Sequence, residues 1–504
     1  MKGFIPTSLS RDLPASLVVF LVALPLCMGI AIASGLPPEK GLLTGIIGGI
    51  VVGMLAGSPL QVSGPAAGLV VLVFEIIQKN GIAALGAVLV LAGLLQIGAG
   101  ALRLGGWFRA MSPAVVHGML AGIGVLIVAG QIQVLLDHKP LPSGVANLVA
   151  IPGAVVSLLP LDGLGGEAAL AVGITTIAAM LLWERLRPQR LWILPGALVG
   201  IAAGVMLAQA FELPIGRIDV AGTFADSIDL VTPASLANLA NPEMLLFAIV
   251  IAFVASAETL LSAAAVDKMH NGPRTNYDRE LAAQGVGNLL CGALGALPLT
   301  GVIVRSSANV QAGAQTRWSA VLHGAWLLVC VVLLPDLLRE IPTASLAGVL
   351  IVVGWRLVSL RHAKHLLTNH GRLAAAIWAI TVIMIVCFDL LTGVLAGMAL
   401  ALVEILPQMR RPKLRISRHS GNDGVALHLS GAATFLQLPK LARALDELPA
   451  GVPVRVRGRG LRFVDHTCAD LLQDWRERRT TSGGEVCLDA RLTHRIAVGV
   501  TSRG

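Results

Sequence analysis

Leu297-Pro298-Leu299-Thr300-Gly301-Val302-Ile303-Val304-Arg305-Ser306-Ser307-Ala308-Asn309 interrupts a long hydrophobic region. Pro298 and Gly301 break a helix. Val302, Ile303 and Val304 are β-branched and favour an extended chain. Arg305 sets a full charge where lipid rejects one. Irregular backbone of this kind is tolerated at membrane depth only where it is buried in protein or lines a cavity. The stretch therefore reads as half of a substrate site, with the remaining chain as its scaffold.

The surroundings are those of a polytopic membrane protein. The 504 residues are 55% hydrophobic and 13% charged. Apolar runs at 13–35, 41–57, 64–78, 82–102, 112–135, 168–186, 191–210, 243–263, 280–296, 303–314, 318–338, 342–358, 373–390 and 391–406 give about fourteen segments. The first is too long for a signal peptide and carries Pro25, so it is kept as a helix. An even count places both termini on one side. The loops on that side hold Arg103, Arg109, Arg185, Arg187, Arg190, Lys268, Arg274, Arg279, Arg317, Arg361, Lys364 and Arg372; the opposite loops are rich in acids, among them Asp226 and Asp229. The positive-inside rule makes the side of the termini cytoplasmic. The formal charge of +9 lies mostly in loops and tail and suits an anionic leaflet better than nucleic acid. The six scattered cysteines form no C-x-x-C pair, so neither a metal site nor a disulfide framework is indicated. No nucleophile constellation marks an enzyme, and no cofactor is expected beyond a coupling Na⁺ or H⁺.

An internal repeat organises the membrane part. Ser58-Pro59-Leu60-Gln61-Val62-Ser63-Gly64-Pro65-Ala66-Ala67-Gly68 echoes the opening stretch: each has a Pro-Leu pair, a polar residue and a short extended run, and each follows a glycine-rich helix. Pro59 and Pro298 lie 239 residues apart, dividing the region into two halves of about seven segments. An odd number per half forces opposite orientations, and paired broken segments point to a transporter's binding site. Strands at 59–63 and in the opening stretch are expected to cross. Half-helices are expected to start at 64–66 and 302–304 and to present unpaired N–H groups to an anion. Gly41, Gly45, Gly49, Gly53 and Gly57 line one face of the second segment, a packing surface for another helix. Glu258 lies mid-segment, where a carboxylate costs several kcal/mol, and is read as a coupling group, with a structural salt bridge to Arg305 as the alternative.

Residues 1–406 are thus read as a transmembrane transport domain, with repeats at about 10–210 and 243–406. Residues 407–415 form a basic linker, and 416–504 a small soluble α/β domain with strands near Val425–Leu429, Val454–Arg457 and Glu485–Leu488.

Several motifs carry a family resemblance. Leu24-Pro25-Leu26-Cys27-Met28-Gly29, Gln61-Val62-Ser63-Gly64-Pro65, Thr300-Gly301 through Arg305-Ser306 and Asn309-Val310-Gln311 make the chain resemble the SulP/solute carrier 26 anion transporters. Phe463-Val464-Asp465-His466-Thr467 is similar to the strand end and helix start of a STAS domain, with His466-Thr467 where that family has Ser-Ser. The resemblance implies an α-helical membrane protein of two inverted seven-segment repeats, arranged as core and gate domains, with a cytoplasmic STAS domain. It implies a homodimer in the bacterial inner membrane that carries a small inorganic oxyanion, bicarbonate or sulfate, by alternating access. An anion channel and a dicarboxylate/anion exchanger are alternatives on the same fold. The implied substrate contacts are Pro25, Ala66, Ala67, Gly301, Val302, Ile303 and Arg305. The implied coupling-ion contacts are Glu258, Ser262, Thr300 and Gly301. Where the family's main branch has Gly-Ser-Phe-Ser-Arg this chain has Gly301-Val302-Ile303-Val304-Arg305, so backbone N–H groups should do most of the anion binding.

Overall fold

The computed structural model describes residues 9–493 except 109–111, 142, 159–165, 189–190, 192–193, 220–226, 271, 360–363, 365, 410–413, 422–423, 435–436, 450–451, 465, 482–484 and 490–491. Arg109, Arg190, Asp226, Arg361, the linker residues 410–413 and Asp465 therefore lie outside the described residues.

A helix stands at each expected segment. In the first half these are α1 (Leu9–Ala33), α2 (Pro38–Ile47), β1 (Ser63–Pro65) leading into α3 (Val70–Asn80), α4 (Ile82–Ala101), α5 (Pro113–Leu135), α7 (Gly166–Leu186) and α8 (Gly196–Ala210). Between α5 and α7 lies α6 (Gly144–Val156), a 13-residue helix that the expected segments do not include. The second half holds α9 (Pro242–Met269), α10 (Tyr277–Ala293), β2 (Leu299–Gly301) leading into α11 (Ile303–Gln311), α12 (Trp318–Leu333), α13 (Thr343–Val358), α14 (Gly371–Cys387) and α15 (Leu390–Met409). The chain divides into two compact units, 1–105 with 123–358 and 386–389, and 106–122 with 359–385 and 390–504.

The repeat is visible in how the first unit packs. Lipid offers no hydrophobic reward for helix pairing, so close backbone approach must supply it. The glycine face of α2 lies on α12, where a Cβ on Gly49 would stand 2.6 Å from the Gly324 Cα. α10 lies on α4 in the same manner, where a Cβ on Gly285 would stand 2.7 Å from the Gly93 carbonyl oxygen. A shift of seven segments turns the first pair into the second, so each pair joins one helix from either repeat. α2 ends in a π turn, Gly48–Val52, whose Gly48 abuts the Ser63 carbonyl of β1. Insertions of this kind recur at functional sites.

The C-terminal layer is an α/β sheet of order β3-β4-β5-β6: β3 (Arg415–Gly421), β4 (Gly424–Ala433), β5 (Val454–Val464) and β6 (Val486–Leu488). β3 and β4 are antiparallel; β4, β5 and β6 are parallel. Helices α16 (Leu438–Asp446) and α17 (His466–Thr481) cover one face, burying Leu427, Val456, Leu441 and Leu472 together. Arg415, the last linker residue by sequence, is instead the first residue of β3. Its neighbour Ile416 faces the core, and alternation carries the strand on from there.

Candidate functional site

Two three-residue strands meet at the centre of the first unit. β1 and β2 pair antiparallel, Ser63 opposite Gly301, Gly64 opposite Thr300 and Pro65 opposite Leu299. Two further bonds extend the ladder, Ala66 N–H to the Pro298 oxygen at 3.0 Å and Val302 N–H to the Val62 oxygen at 2.9 Å. The first strand lies later than the 59–63 expected from sequence. Pro59 sits inside a turn closed by the Gln61 N–H on the Ser58 oxygen, and that turn consumes those residues. The first half-helix is later too: Ala66 caps a 3₁₀ turn at Ala67–Leu69, and α3 follows. The second begins at Ile303 with Val302 as its cap, inside the expected window.

Neither helix start has a side-chain cap. Ala66 and Val302 have no side-chain oxygen to give, so neither half-helix is capped by its own N-cap residue. The register sets these starts at opposite ends of one short ladder, each with its positive dipole end toward it. Ala67 and Val302 are half-buried and Ile303 is 37% exposed, whereas Ala66, Gly301 and Thr300 are buried. The accessible surface of the ladder thus lies at the uncapped starts.

Glu258 and Arg305 attach to this ladder on separate contacts. The Glu258 carboxylate faces Gly68 and Thr300. Its Oε2 and the Thr300 Oγ1 are buried without hydrogen-bond partners among the described residues. Ser262, one turn further along α9, is also buried. Arg305 is wholly buried, and none of its three guanidinium nitrogens has a hydrogen-bond partner among the described residues. It lies against Gly64. The salt bridge to Glu258 considered from sequence does not form. The two side chains are held by different glycines of the first repeat, Gly68 and Gly64. Pro25 is buried within α1, which packs along β1 and α11 and so flanks the ladder.

Residues 9–381 match the sulfate permease family. The chain belongs to it. The chain is 30% identical over 419 residues to the putative sulfate transporter YvdB of Bacillus subtilis, spanning 81% of this chain and 76% of that one. It is 26% identical over 412 residues to the bicarbonate transporter BicA of Picosynechococcus, spanning 79% and 70%. Two solved structures share the fold. The transmembrane domain of a cyanobacterial BicA matches with a TM-score of 0.66 at 24% identity, over 77% of this chain and 98% of that one. SLC26A9 matches with a TM-score of 0.70 at 15% identity, over 99% and 87%.

Several residues hold the ladder without having been singled out from sequence. Thr259, beside Glu258, accepts the Gly301 N–H on its Oγ1 at 3.0 Å and the Gln61 Nε2 on its carbonyl at 3.0 Å. α10 turns a polar stripe, Glu280, Gln284 and Asn288, toward both strands. Glu280 Oε2 accepts the N–H groups of Gly57 and Ser58 at 2.9 Å each. Gln284 donates to the Ser63 hydroxyl at 2.7 Å. Asn288 accepts the Leu299 N–H at 2.8 Å and donates to the Leu299 oxygen at 3.1 Å, standing in for a neighbouring strand. Asn288 also donates to Gln96 of α4, which reaches Ser256 of α9 at 3.1 Å. The stripe's four-residue spacing inside an apolar segment was the available signal, since polar side chains in such segments face the bundle interior.

Proposed function

We propose that the chain is a secondary active transporter of a small inorganic oxyanion of the bicarbonate or sulfate class, coupled to H⁺ or Na⁺. The observation that carries this is the pair of uncapped half-helix starts on one buried ladder, with an unpartnered carboxylate oxygen beside it. The anion is held between the starts, at Ala66 and Ala67 on one side and Gly301, Val302 and Ile303 on the other. Most of its hydrogen bonds come from backbone N–H groups, because the starts have no hydroxyls. Arg305 contributes positive potential from beneath β1, and Pro25 of α1 borders the site. The cation or proton is held at Glu258, Ser262, Thr300 and Gly301.

Coupling follows from charge. The empty site places a carboxylate in a dry interior, which is costly, and a cation there offsets that cost. The same cation adds to the positive field that the anion meets. Each ligand therefore favours the other, and the neutralised site crosses the membrane more readily than the charged one. The names of the relatives, a putative sulfate transporter and a bicarbonate transporter, support the substrate class. We further propose a homodimer in the cell membrane with both termini cytoplasmic, core and gate domains that move for alternating access, and a regulatory STAS-type domain at residues 416–504.

Counterflow in proteoliposomes tests this reading, with bicarbonate, sulfate and fumarate each measured with and without Na⁺ and a pH gradient. Glu258→Gln should abolish ion-driven accumulation while the protein stays monodisperse. Undiminished concentrative uptake by that variant sinks the coupling role. Channel-sized currents in the same liposomes would replace a carrier with a channel.

A further inference from the structure

We propose that the open face of the C-terminal sheet is a docking surface for the anionic headgroups of the leaflet from which the domain hangs. Strands β3 to β6 hold six arginines and two histidines and no aspartate or glutamate. The helices α16 and α17 cover the other face, where Leu427 and Val456 are buried. Strand alternation and register then set Arg415 and His419 of β3, His428 of β4, Arg455 and Arg457 of β5 and Cys487 of β6 on the open side. Arg415, His419, Arg455, Arg457 and Cys487 are exposed, and the rings of His419 and His428 stand 5.2 Å apart. Glu485 and Asp489, which flank β6, lie outside the strands.

Two observations favour lipid over a soluble acidic protein. The first is the tether. α15 ends at Met409 and β3 begins at Arg415, so the chain allows a separation of at most about 20 Å between the last apolar helix and the first residue of the face. The intervening Arg410, Arg411 and Lys413 continue the same charge in sequence. Anionic headgroups are thus always at high local concentration beside this face. The second is chemistry. The described exposed positions of the open face, Arg415, Ser417, His419, Arg455, Arg457 and Cys487, include no tryptophan, tyrosine, phenylalanine or large aliphatic side chain, and such anchors are what protein partners bury. A flat cationic surface without anchors matches a charged lipid plane.

The native cysteines supply the test. Cys487 and Cys387 are exposed; Cys27, Cys291, Cys330 and Cys468 are buried. The full chain carrying Cys387→Ser is placed in nanodiscs of phosphatidylcholine alone, or with about a third phosphatidylglycerol. The reaction rate of Cys487 with a soluble uncharged maleimide is then measured. At low salt the anionic discs should slow labelling by about threefold or more, and about 0.5 M KCl should erase the difference. The Arg455→Glu, Arg457→Glu pair, on exposed positions outside the transport site, should label equally in both discs and transport normally. Equal rates for the parent chain in both discs overturn the proposal, as self-association or a missing protein partner would require. Protection by inorganic phosphate in phosphatidylcholine discs overturns it in favour of a soluble-anion site.

Discussion

The two halves of the ladder share a backbone plan and differ in what they carry. The first half is made of small residues at its critical positions: Gly64, Ala66, Ala67 and Gly68. The second half carries Thr300, Arg305, Ser306 and Asn309. Three glycines show how the difference is used. A Cβ on Gly64 would collide with the Arg305 guanidinium, one on Gly301 would collide with the Gln61 amide, and one on Gly68 would stand 2.7 Å from the Glu258 Oε2. Each glycine leaves room for a buried polar side chain from another part of the bundle. Two of the three lie in the first half and make room for charged side chains, and the one in the second half makes room for an amide, so the halves share the device and differ in what it admits.

The largest effect should come from filling the space beside Arg305. Gly64→Ala is expected to destabilise the protein by about 3 kcal/mol or more, since a buried side chain with no slack must move. The same change in an Arg305→Ala background should cost far less. Thermal unfolding of the four proteins of this cycle reads the coupling, and additivity would show that the glycine serves the backbone alone.

Asn288→Leu ranks next. It leaves the Leu299 N–H and C=O without their side-chain partner, for an expected cost of about 2–4 kcal/mol. Gln284→Leu should cost less, about 1–2 kcal/mol, because it takes a donor from the Ser63 hydroxyl and from Glu280 Oε1 but strands no backbone group, and the Glu280 carboxylate keeps the Gly57 and Ser58 N–H groups. A larger loss for Gln284 in chemical denaturation would reverse the asymmetry between the halves. Gly68→Ala should act on function more than on stability. It pushes on the Glu258 carboxylate, so the half-saturating cation concentration should rise about five- to tenfold, with a smaller change in that of the anion. Equal changes in both would place Glu258 with the anion. The smallest effect is expected from Thr259→Ser, which keeps the acceptor for the Gly301 N–H, against about 1–2 kcal/mol for Thr259→Val.

Much of this scaffold was legible in the sequence for physical reasons. Pro59 and Pro298 cannot sit quietly in apolar helices, and the regular glycines of α2 have no purpose except close packing. Glu258 and Arg305 were conspicuous because charge in lipid is costly. The register was not legible: the Ser58–Gln61 turn takes residues that an extended reading assigns to strand, which moves β1 to Ser63–Pro65. The Glu258–Arg305 pair, the alternative to a coupling role, does not form for a similar reason. Sequence gives the depth of a side chain but not the direction it leaves its helix, and α9 and α11 turn these two to different neighbours. The link from Ser256 through Gln96 to Asn288 joins three helices far apart in the chain, so no local pattern announces it.

The cross-repeat helix pairs bear on how the protein is made. α2 and α4 are inserted with their glycine faces bare, and their partners α12 and α10 follow roughly 200 to 280 residues later, tens of seconds at ordinary rates of synthesis. During that interval the first repeat has neither its partners nor the second strand of the ladder. The nascent first half is therefore a client for insertion factors or lipid that can shield exposed small-residue grooves, and a ribosome stalled near residue 240 would hold a chain with nothing to close upon.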